Sequence, residues 1–266
     1  RALQAAAQLA ALMAAELQGV YVEDINLVRL GGLPFVREVG SYSAALRPLE
    51  SRTIEREFQL QAMKIRHALV QAAVAANVQW SFQTVRGNVA GEVLQAAESA
   101  AMVTLGRIGR SAGTRLGSTA QSIIHRSNRP VFLLNSAGLV YPLTLLYDSS
   151  AAAQRALRLA LLLMHEQSTT LRILLPADMG APVDATDDEE MSPAAPHSDA
   201  SHEHGQVIDH LEYVLAAQQI EAQIITLRAD EEVPAILATL PPGTLVLPGA
   251  HGFLLDKITW SAILVP

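Results

Sequence analysis

Short apolar runs alternate with longer amphipathic stretches along the whole chain, a pattern typical of strands alternating with helices. The predicted strands are Val20–Val22, Val78–Val85, Ala101–Leu105, Val131–Leu134, Leu143–Tyr147, Thr170–Leu175, Glu221–Leu227 and Thr244–Leu247. The predicted helices are Arg1–Gln18, ended by Gly19, then Glu50–Ala76, Val89–Ser99, a helix from Ser118 to about Ser127, Ala151–Gln167, Gln206–Gln219 and Glu231–Thr239. This order predicts an α/β fold.

The second half of the chain repeats the plan of the first. Asn77–Gly106 and Ile220–Gly249 are each 30 residues long, and both run strand, helix, strand, glycine. An internal duplication of a βαβ domain is the economical explanation. We therefore predict two domains, residues 1–138 and residues 139–266.

The predicted copies differ in two places. The strand that ends at Asp148 precedes the first helix of the second half, and its counterpart in the first half would lie upstream of Arg1. In addition, 20 residues separate Gly109 from Pro130, whereas only 9 separate Gly252 from Ala262. Nine residues are too few for a loop followed by a helix.

A glycine-rich segment joins the strand Ala101–Leu105 to the next helix. It contains Gly106, Gly109, Gly113 and Gly117. Ser118 stands at the expected N-cap, and Gln121 follows at the spacing of a capping box. Such a connection is where α/β sheets bind phosphate groups, because free backbone N–H groups and the helix dipole favour an anion there. The alternative is a tight connection in which the glycines serve only the backbone and Ser118 only caps the helix.

Charge and composition narrow the class of protein. The net charge is −7, with 14 basic and 9 acidic residues in 1–138 but 5 basic and 17 acidic residues in 139–266. The basic half has no clustered aromatic residues, so we expect no nucleic-acid partner. The absence of cysteine favours a cytoplasmic protein. The most apolar helix, Ala151–Met164, is too short to cross a bilayer, so we expect no membrane association.

The chain resembles the universal stress protein family in its tandem two-domain form. The resemblance rests on the Gly-x-x-Gly of Gly106–Gly109, on Gly117-Ser118, on the sequence SIIHRSNRPVFLL that follows, and on Tyr147-Asp148-Ser149. The family motif places nine residues between its second and third glycines, whereas this chain has seven, from Arg110 to Leu116. In the second half Gly249 and Gly252 match, but no Gly-Ser pair follows.

The resemblance implies two Rossmann-like domains of the adenine nucleotide alpha hydrolase-like type. Each would have a parallel sheet of strand order 3-2-1-4-5 with helices on both faces, and the paired domains would meet along their last strands. It also implies binding of ATP or AMP, with Mg²⁺ as a companion ion. The implied adenine contacts are Val22 and Asp148, and the implied phosphate contacts are Gly106, Gly109, Gly117, Ser118 and Thr119, with Gly249 and Gly252 as the second-half counterparts. Electrostatics adds Arg107 and Arg110.

Other chemistry finds less support in the sequence. His197, His202, His204 and His210 lie in or near the stretch 177–205, whose composition predicts a solvated loop rather than a metal site. Asp148 precedes Ser149-Ser150 and therefore also suits an Asx turn. His251 suits either a phosphate contact or an ordinary loop position. We identify no catalytic set, so any ATP hydrolysis is expected to be slow.

Two functions follow from these residues. The first is an adenine-nucleotide binding or sensing module of the stress response, acting chiefly through residues 1–138. The alternative is a nucleotide-free dimerisation or protein-interaction module on the same fold. In either case we expect a homodimer or a pseudo-dimer formed within one chain. A third function, a nucleotidyl transferase of related topology, lacks the catalytic residues it would need.

Overall fold

A computed structural model describes residues 2–33, 35–39, 46–48, 51–106, 116–135, 138–165, 167–176, 199–228 and 231–266. The helices are α1 (Ala2–Leu12), α2 (Ile25–Gly31), α3 (Ser51–Ala76), α4 (Val89–Ala97), α5 (Ser118–Arg126), α6 (Ala151–Met164), α7 (Asp199–Ala217) and α8 (Val233–Thr239). A 3₁₀ helix spans Gly249–Asp256. The strands are β1 (Leu17–Asp24), β2 (Arg37–Val39), β3 (Leu46–Pro48), β4 (Trp80–Gly87), β5 (Val103–Gly106), β6 (Val131–Leu134), β7 (Leu143–Leu146), β8 (Leu171–Leu175), β9 (Ala222–Thr226), β10 (Thr244–Pro248) and β11 (Ser261–Val265).

The chain divides into two compact units. The first consists of Arg1–Val103 and Gly117–Arg129, and the second of Thr104–Leu116 and Pro130–Pro266. Parallel strands dominate the sheets, and helices pack on them, so the predicted α/β class is confirmed. Among the described helices, none combines the length and apolar character needed to cross a membrane.

The first unit is built on a small parallel sheet. Strands β1 and β4 pair in register from Leu17 opposite Trp80 to Asp24 opposite Gly87. Helices α3 and α4 pack on both strands, and α1 packs on α3. No residue of β1 or β4 is fully buried, since a two-stranded sheet offers little surface to cover. The core of this unit includes Phe58 and Leu69 of α3, which are buried against Tyr21 and Gly19 of β1.

The second unit is organised around a seven-stranded sheet of order β5-β6-β11-β10-β7-β8-β9. The pairings from β9 through β8, β7 and β10 to β11 are parallel, whereas β6 runs antiparallel to β11. Every residue of β6, β7, β8, β10 and β11 is buried. These strands are mostly apolar, with Arg172 of β8 as a buried charged exception, as is typical of parallel sheets that helices such as α6 cover.

Three helices end in a turn whose positive-φ residue is not glycine, and the end of one of them, α1, was not predicted. Helix α1 stops at Leu12, although its alanine-rich sequence predicted a helix to Gln18. Ala14 takes a positive φ of 49°, and the N–H groups of Ala14 and Ala15 bond back to the Ala11 and Ala10 carbonyls. This is the Schellman arrangement, and it recurs after α3 and α7 with Asn77 and Gln219 at the positive-φ position. The predicted end at Gly19 was therefore wrong, and that glycine lies inside β1.

Helix α7 begins earlier than predicted. It starts at Asp199 rather than Gln206, so the last part of the predicted loop 177–205 is helical, while 177–198 lies outside the described residues. Within α7 the exposed Gly205 interrupts the run of side chains without ending the helix.

Two buried threonines on neighbouring strands give a matched test of the sheet. The Thr244 hydroxyl on β10 accepts a 2.9 Å hydrogen bond from the Val140 N–H, whereas among the described residues the Thr144 hydroxyl on β7 has no partner. Thr144→Val is expected to raise the free energy of unfolding by about 1 kcal/mol, because it removes an unpaired, desolvated hydroxyl. Thr244→Val should lower it by about 1–2 kcal/mol, because it leaves the Val140 N–H unpaired. Urea unfolding of the two variants measures both changes in unfolding free energy. Changes of the same sign would contradict the difference in hydrogen bonding between the Thr144 and Thr244 hydroxyl groups.

Candidate functional site

In the second unit the strand order reverses between β7 and β10, and we call the region at the carboxyl ends of these two strands the crevice. The chain runs from β7 outward to β8 and β9, and then returns to the other side of β7 as β10 and β11. Ligands of open α/β sheets bind at such a switch point, at the carboxyl ends of the strands. Asp148 follows β7 there, and Gly249–Gly252 follow β10 as part of the 3₁₀ helix. Two of the segments predicted to contact a ligand therefore lie at neighbouring strand ends.

Asp148 uses both oxygens of its carboxyl group within the protein. Its Oδ1 accepts a 3.0 Å hydrogen bond from the Ser150 N–H, and its Oδ2 lies 2.8 Å from Nε2 of His251. Ser150 in turn caps α6, because its hydroxyl accepts the Ala153 N–H at 3.0 Å. The Asx turn considered from the sequence is therefore present, and a contact with His251 adds to it.

Hydrogen bonding keeps this carboxyl group ionised. The pKa of Asp148 falls from 3.8 to about 2. Burial is the largest single influence and on its own raises this pKa, but the hydrogen bonds from His251 and Ser150 together outweigh it. Since an ionised carboxylate can only accept, Nε2 of His251 carries the hydrogen and donates it. The pair is an aromatic N–H group bonded to an anion at the crevice.

The lowered pKa predicts a dependence of stability on pH. A carboxyl group whose pKa is lower in the folded state stabilises that state above its unfolded pKa of about 3.8, and the contribution is lost as the pH falls through about 2. We expect the free energy of unfolding of the wild type to exceed that of Asp148→Asn by on the order of 1–2 kcal/mol at pH 7. This difference should shrink between about pH 4 and pH 2. Urea unfolding across that range measures it, with the exposed Asp256→Asn variant as control. A difference in unfolding free energy that did not change with pH would contradict the lowered pKa of Asp148.

The second-half glycines lie against the end of the neighbouring strand. A Cβ built on Gly249 would lie 3.4 Å from both Cα of Pro266 and the carbonyl oxygen of Val265, and one on Gly252 would lie 3.5 Å from the Leu264 side chain. Nε of Arg155 on α6 donates to the Pro266 carbonyl oxygen at 2.8 Å. The side of the crevice next to β11 is therefore occupied by the protein itself.

Helix α5 of the first unit begins without a side-chain cap. Its N-cap is Gly117, with φ −66° and ψ 150°, and this residue has no side chain with which to bond the first turn. The prediction that Ser118 is the N-cap was wrong: Ser118 is the first helical residue, and the Gln121 N–H bonds the Gly117 carbonyl oxygen instead of forming a capping box. Gly117, Ser118 and Thr119 are exposed, and the first turn contains no acidic residue.

The remaining predicted contacts are placed as follows. Gly106 is the last residue of β5, and Val22 is half-buried on β1. Arg107, Gly109 and Arg110 lie outside the described residues. The structure thus brings together Asp148 and the second-half glycines, while the full first-half set stays a prediction.

An ion-pair cluster beside Val22 was not found from the sequence. The Arg86 guanidinium donates from Nε to Oε2 of Glu23 at 2.8 Å and from Nη1 to Oε1 of Glu55 on α3 at 3.2 Å. The hydrogen bond and charge of Glu23, supported by Glu55, raise the pKa of Arg86. Glu23 and Arg86 face each other in the β1–β4 register. Each comes directly after a predicted strand, Val20–Val22 or Val78–Val85, but the sequence did not reveal the register that pairs them.

Metal-ligating side chains do not cluster in the described part of the chain. No three or more histidine, cysteine, aspartate or glutamate side chains lie together there in a way that could hold an ion. Nε2 of His204 lies 3.1 Å from the Pro176 carbonyl oxygen, which accepts its hydrogen. His197 lies outside the described residues.

Comparison with known proteins agrees with the fold. The model for the universal stress protein family matches residues 1–135. A universal stress protein from Archaeoglobus fulgidus DSM 4304 has a similar structure, with a TM-score of 0.68 at 14% identity, over 99% of this chain and 92% of that chain. A functionally unknown protein from Pseudomonas aeruginosa PAO1 matches with a TM-score of 0.55 at 10% identity, over 96% of this chain and 94% of its own. At these identities the structural likenesses show the fold alone. No curated protein sequence matches the chain.

Proposed function

We propose a function from the premise that this chain belongs to the universal stress protein family. The protein binds an adenine nucleotide and holds the phosphate groups of that nucleotide at the start of α5. In this proposal the phosphates are bound by the backbone N–H groups of Gly117, Ser118 and Thr119 together with the glycine-rich segment before them. ATP or AMP, with Mg²⁺ on the phosphates, is the expected ligand. The protein acts as a binding or sensing module rather than a fast enzyme.

The observation that carries the proposal is the open start of α5. The first N–H groups of a helix have no acceptor within the helix, and the N-cap residue here is a glycine, which has no side chain to supply one. Ser118 and Thr119 are exposed among the described residues, and the first turn of α5 contains no acidic residue, so the positive end of the helix dipole favours an anion there. A Cβ built on Gly117 would meet no described atom within 4 Å, so an approaching phosphate finds space.

In this proposal the second unit serves in domain pairing and does not bind the nucleotide. Asp148, the implied adenine contact of that half, already accepts hydrogen bonds on both oxygens.

Strand β6 is the last strand of residues 1–138, and β11 is the last strand of residues 139–266. The two strands pair antiparallel, and β5 is the second neighbour of β6 while β10 is the second neighbour of β11. Since neither strand has a free edge, this pairing favours a pseudo-dimer within one chain over a homodimer formed through the same strands.

Two substitutions at Gly117 test the phosphate site. The φ and ψ of Gly117 suit any residue, and the space at its Cβ is open, so both Gly117→Ala and Gly117→Asp should fold. The aspartate caps the first turn and repels phosphate, at a cost of about 1–4 kcal/mol for charges about 4 Å apart. We expect ATP affinity to fall about tenfold or more in Gly117→Asp but by less than about threefold in Gly117→Ala.

Isothermal titration calorimetry with ATP and AMP measures these affinities. Thermal unfolding provides the control, because an aspartate N-cap is expected to leave stability equal or slightly increased. Equal ATP affinity in the two variants, or no nucleotide binding by the wild type, would exclude a phosphate site at α5.

A further inference from the structure

The crevice of the second unit holds its own aromatic N–H donor. His251 is carried on the 3₁₀ helix Gly249–Asp256, which fills the short connection between β10 and β11. From there its Nε2 reaches Oδ2 of Asp148, at the end of β7, at 2.8 Å. The contact therefore bridges the two strand ends between which ligands of such sheets bind.

The surroundings of His251 suit a planar ring. Its ring centroid lies 6.1 Å from that of Phe253, at an interplanar angle of 46°, and Phe253 is 60% exposed. The Asp148 and His251 side chains are only 14% and 23% exposed. The imidazole thus occupies a partly desolvated position between a carboxylate and an aromatic ring, where a hydrogen bond to an anion is stronger than in water.

We propose that His251 is an internal latch, which closes a nucleobase-binding site in the second unit by making the hydrogen bond that the exocyclic amine of a purine would otherwise make to Asp148. An intramolecular donor is present at high effective concentration and excludes a free ligand. The proposal rests on the proposed function only for the choice of an adenine base. It concerns residues of the second unit alone.

The chemistry of the site selects the ligand class. An ionised carboxylate takes donors and rejects acceptors, so a base with an exocyclic amine fits and one without it does not. Ser150 holds Oδ1 by its N–H, which fixes the carboxylate and leaves Oδ2 for the incoming amine. Phe253 offers a face for the ring to stack on.

Three substitutions at His251 separate an open site from a closed one. His251→Ala removes the donor and vacates its space, and His251→Ser is a second small replacement in case the alanine variant folds poorly. His251→Gln retains an Nε2–H donor and should keep the latch closed. All variants carry Gly117→Asp, which acts on phosphate and not on the base, so adenosine binding that is the same in every variant is assigned to the first unit. Only a gain in adenosine affinity that depends on residue 251 and on Asp148 is assigned to this site.

Adenosine, purine riboside and imidazole are the probes, titrated by calorimetry. Adenosine carries no phosphate, and purine riboside lacks the exocyclic amine. We expect His251→Ala to bind adenosine at least tenfold more tightly than wild type or His251→Gln, to bind purine riboside at least tenfold more weakly than adenosine, and to lose adenosine binding when Asp148→Asn is added. Imidazole should compete with adenosine.

Each other result overturns the proposal. Binding of imidazole but not adenosine by His251→Ala or His251→Ser would mean that the substitution leaves only a small hole. Equal adenosine affinity in wild type and His251→Ala would mean that His251 closes nothing. Adenosine binding that survives Asp148→Asn would place the base elsewhere.

Discussion

Replacing Phe132 with alanine is expected to lower the free energy of unfolding of the second unit by about 3–5 kcal/mol. Phe132 is fully buried on β6 and lies opposite Ile263 of β11, which is also fully buried. Truncation removes the largest completely buried side chain of the sheet and leaves a cavity that rigid neighbouring strands cannot close. Urea unfolding followed by circular dichroism measures the loss.

Phe35→Ala is the matched control for that change. Phe35 is 76% exposed in the first unit, so the same truncation there should change stability by less than about 0.5 kcal/mol. Equal losses from Phe132→Ala and Phe35→Ala would contradict the burial of β6 in the seven-stranded sheet, and with it the β6–β11 pairing.

Replacing Gly243 with alanine is expected to destabilise the second unit by about 3 kcal/mol or more. A Cβ on Gly243 would overlap the backbone oxygen of Pro142 and would lie 3.3 Å from its carbonyl carbon. Backbone atoms cannot move aside as the end of a flexible side chain can, so β10 or the segment before β7 would have to shift. Thermal unfolding should show a midpoint temperature that is several degrees below that of the wild type.

Gly205→Ala tests whether this loss comes from the close approach or from glycine replacement in general. A Cβ on Gly205 would meet no described atom within 4 Å, and the residue lies inside α7. Alanine there should stabilise the helix by up to about 1 kcal/mol. A Gly243→Ala variant as stable as wild type would contradict the contact between Gly243 and Pro142.

Much of the fold follows from sequence pattern because its elements are strongly patterned. The apolar runs of β7, β8 and β10 are short and fully buried, and α3 shows a clear apolar face, so the α/β class was predictable. The end of α1 was not predictable by the same reasoning, because alanine has high helix propensity and the Schellman turn at Ala14 uses no glycine. Tertiary pairing of β1 with β4 overrides the local preference for helix after Leu12.

The candidate site was less predictable than the fold. Asp148, Gly249 and Gly252 were recognisable as residues at strand ends, but the bond from His251 to Asp148 joins residues 103 apart in sequence. Its formation depends on the strand order that places β7 beside β10. The start of α5 was located to within one residue, although the identity of the cap was not, because a shift of a single residue at a helix end decides which side chain reaches the first turn.

The most direct test of nucleotide binding at α5 is a titration of the ¹⁵N-labelled wild-type protein with ATP, followed by the amide resonances of Gly117, Ser118 and Thr119. Phosphate bound by these N–H groups would shift their resonances, whereas adenosine, which has no phosphate, would leave them in place. We expect saturable shifts at these three amides with ATP and none with adenosine. Saturation with ATP that leaves all three amides unchanged would contradict the proposed function.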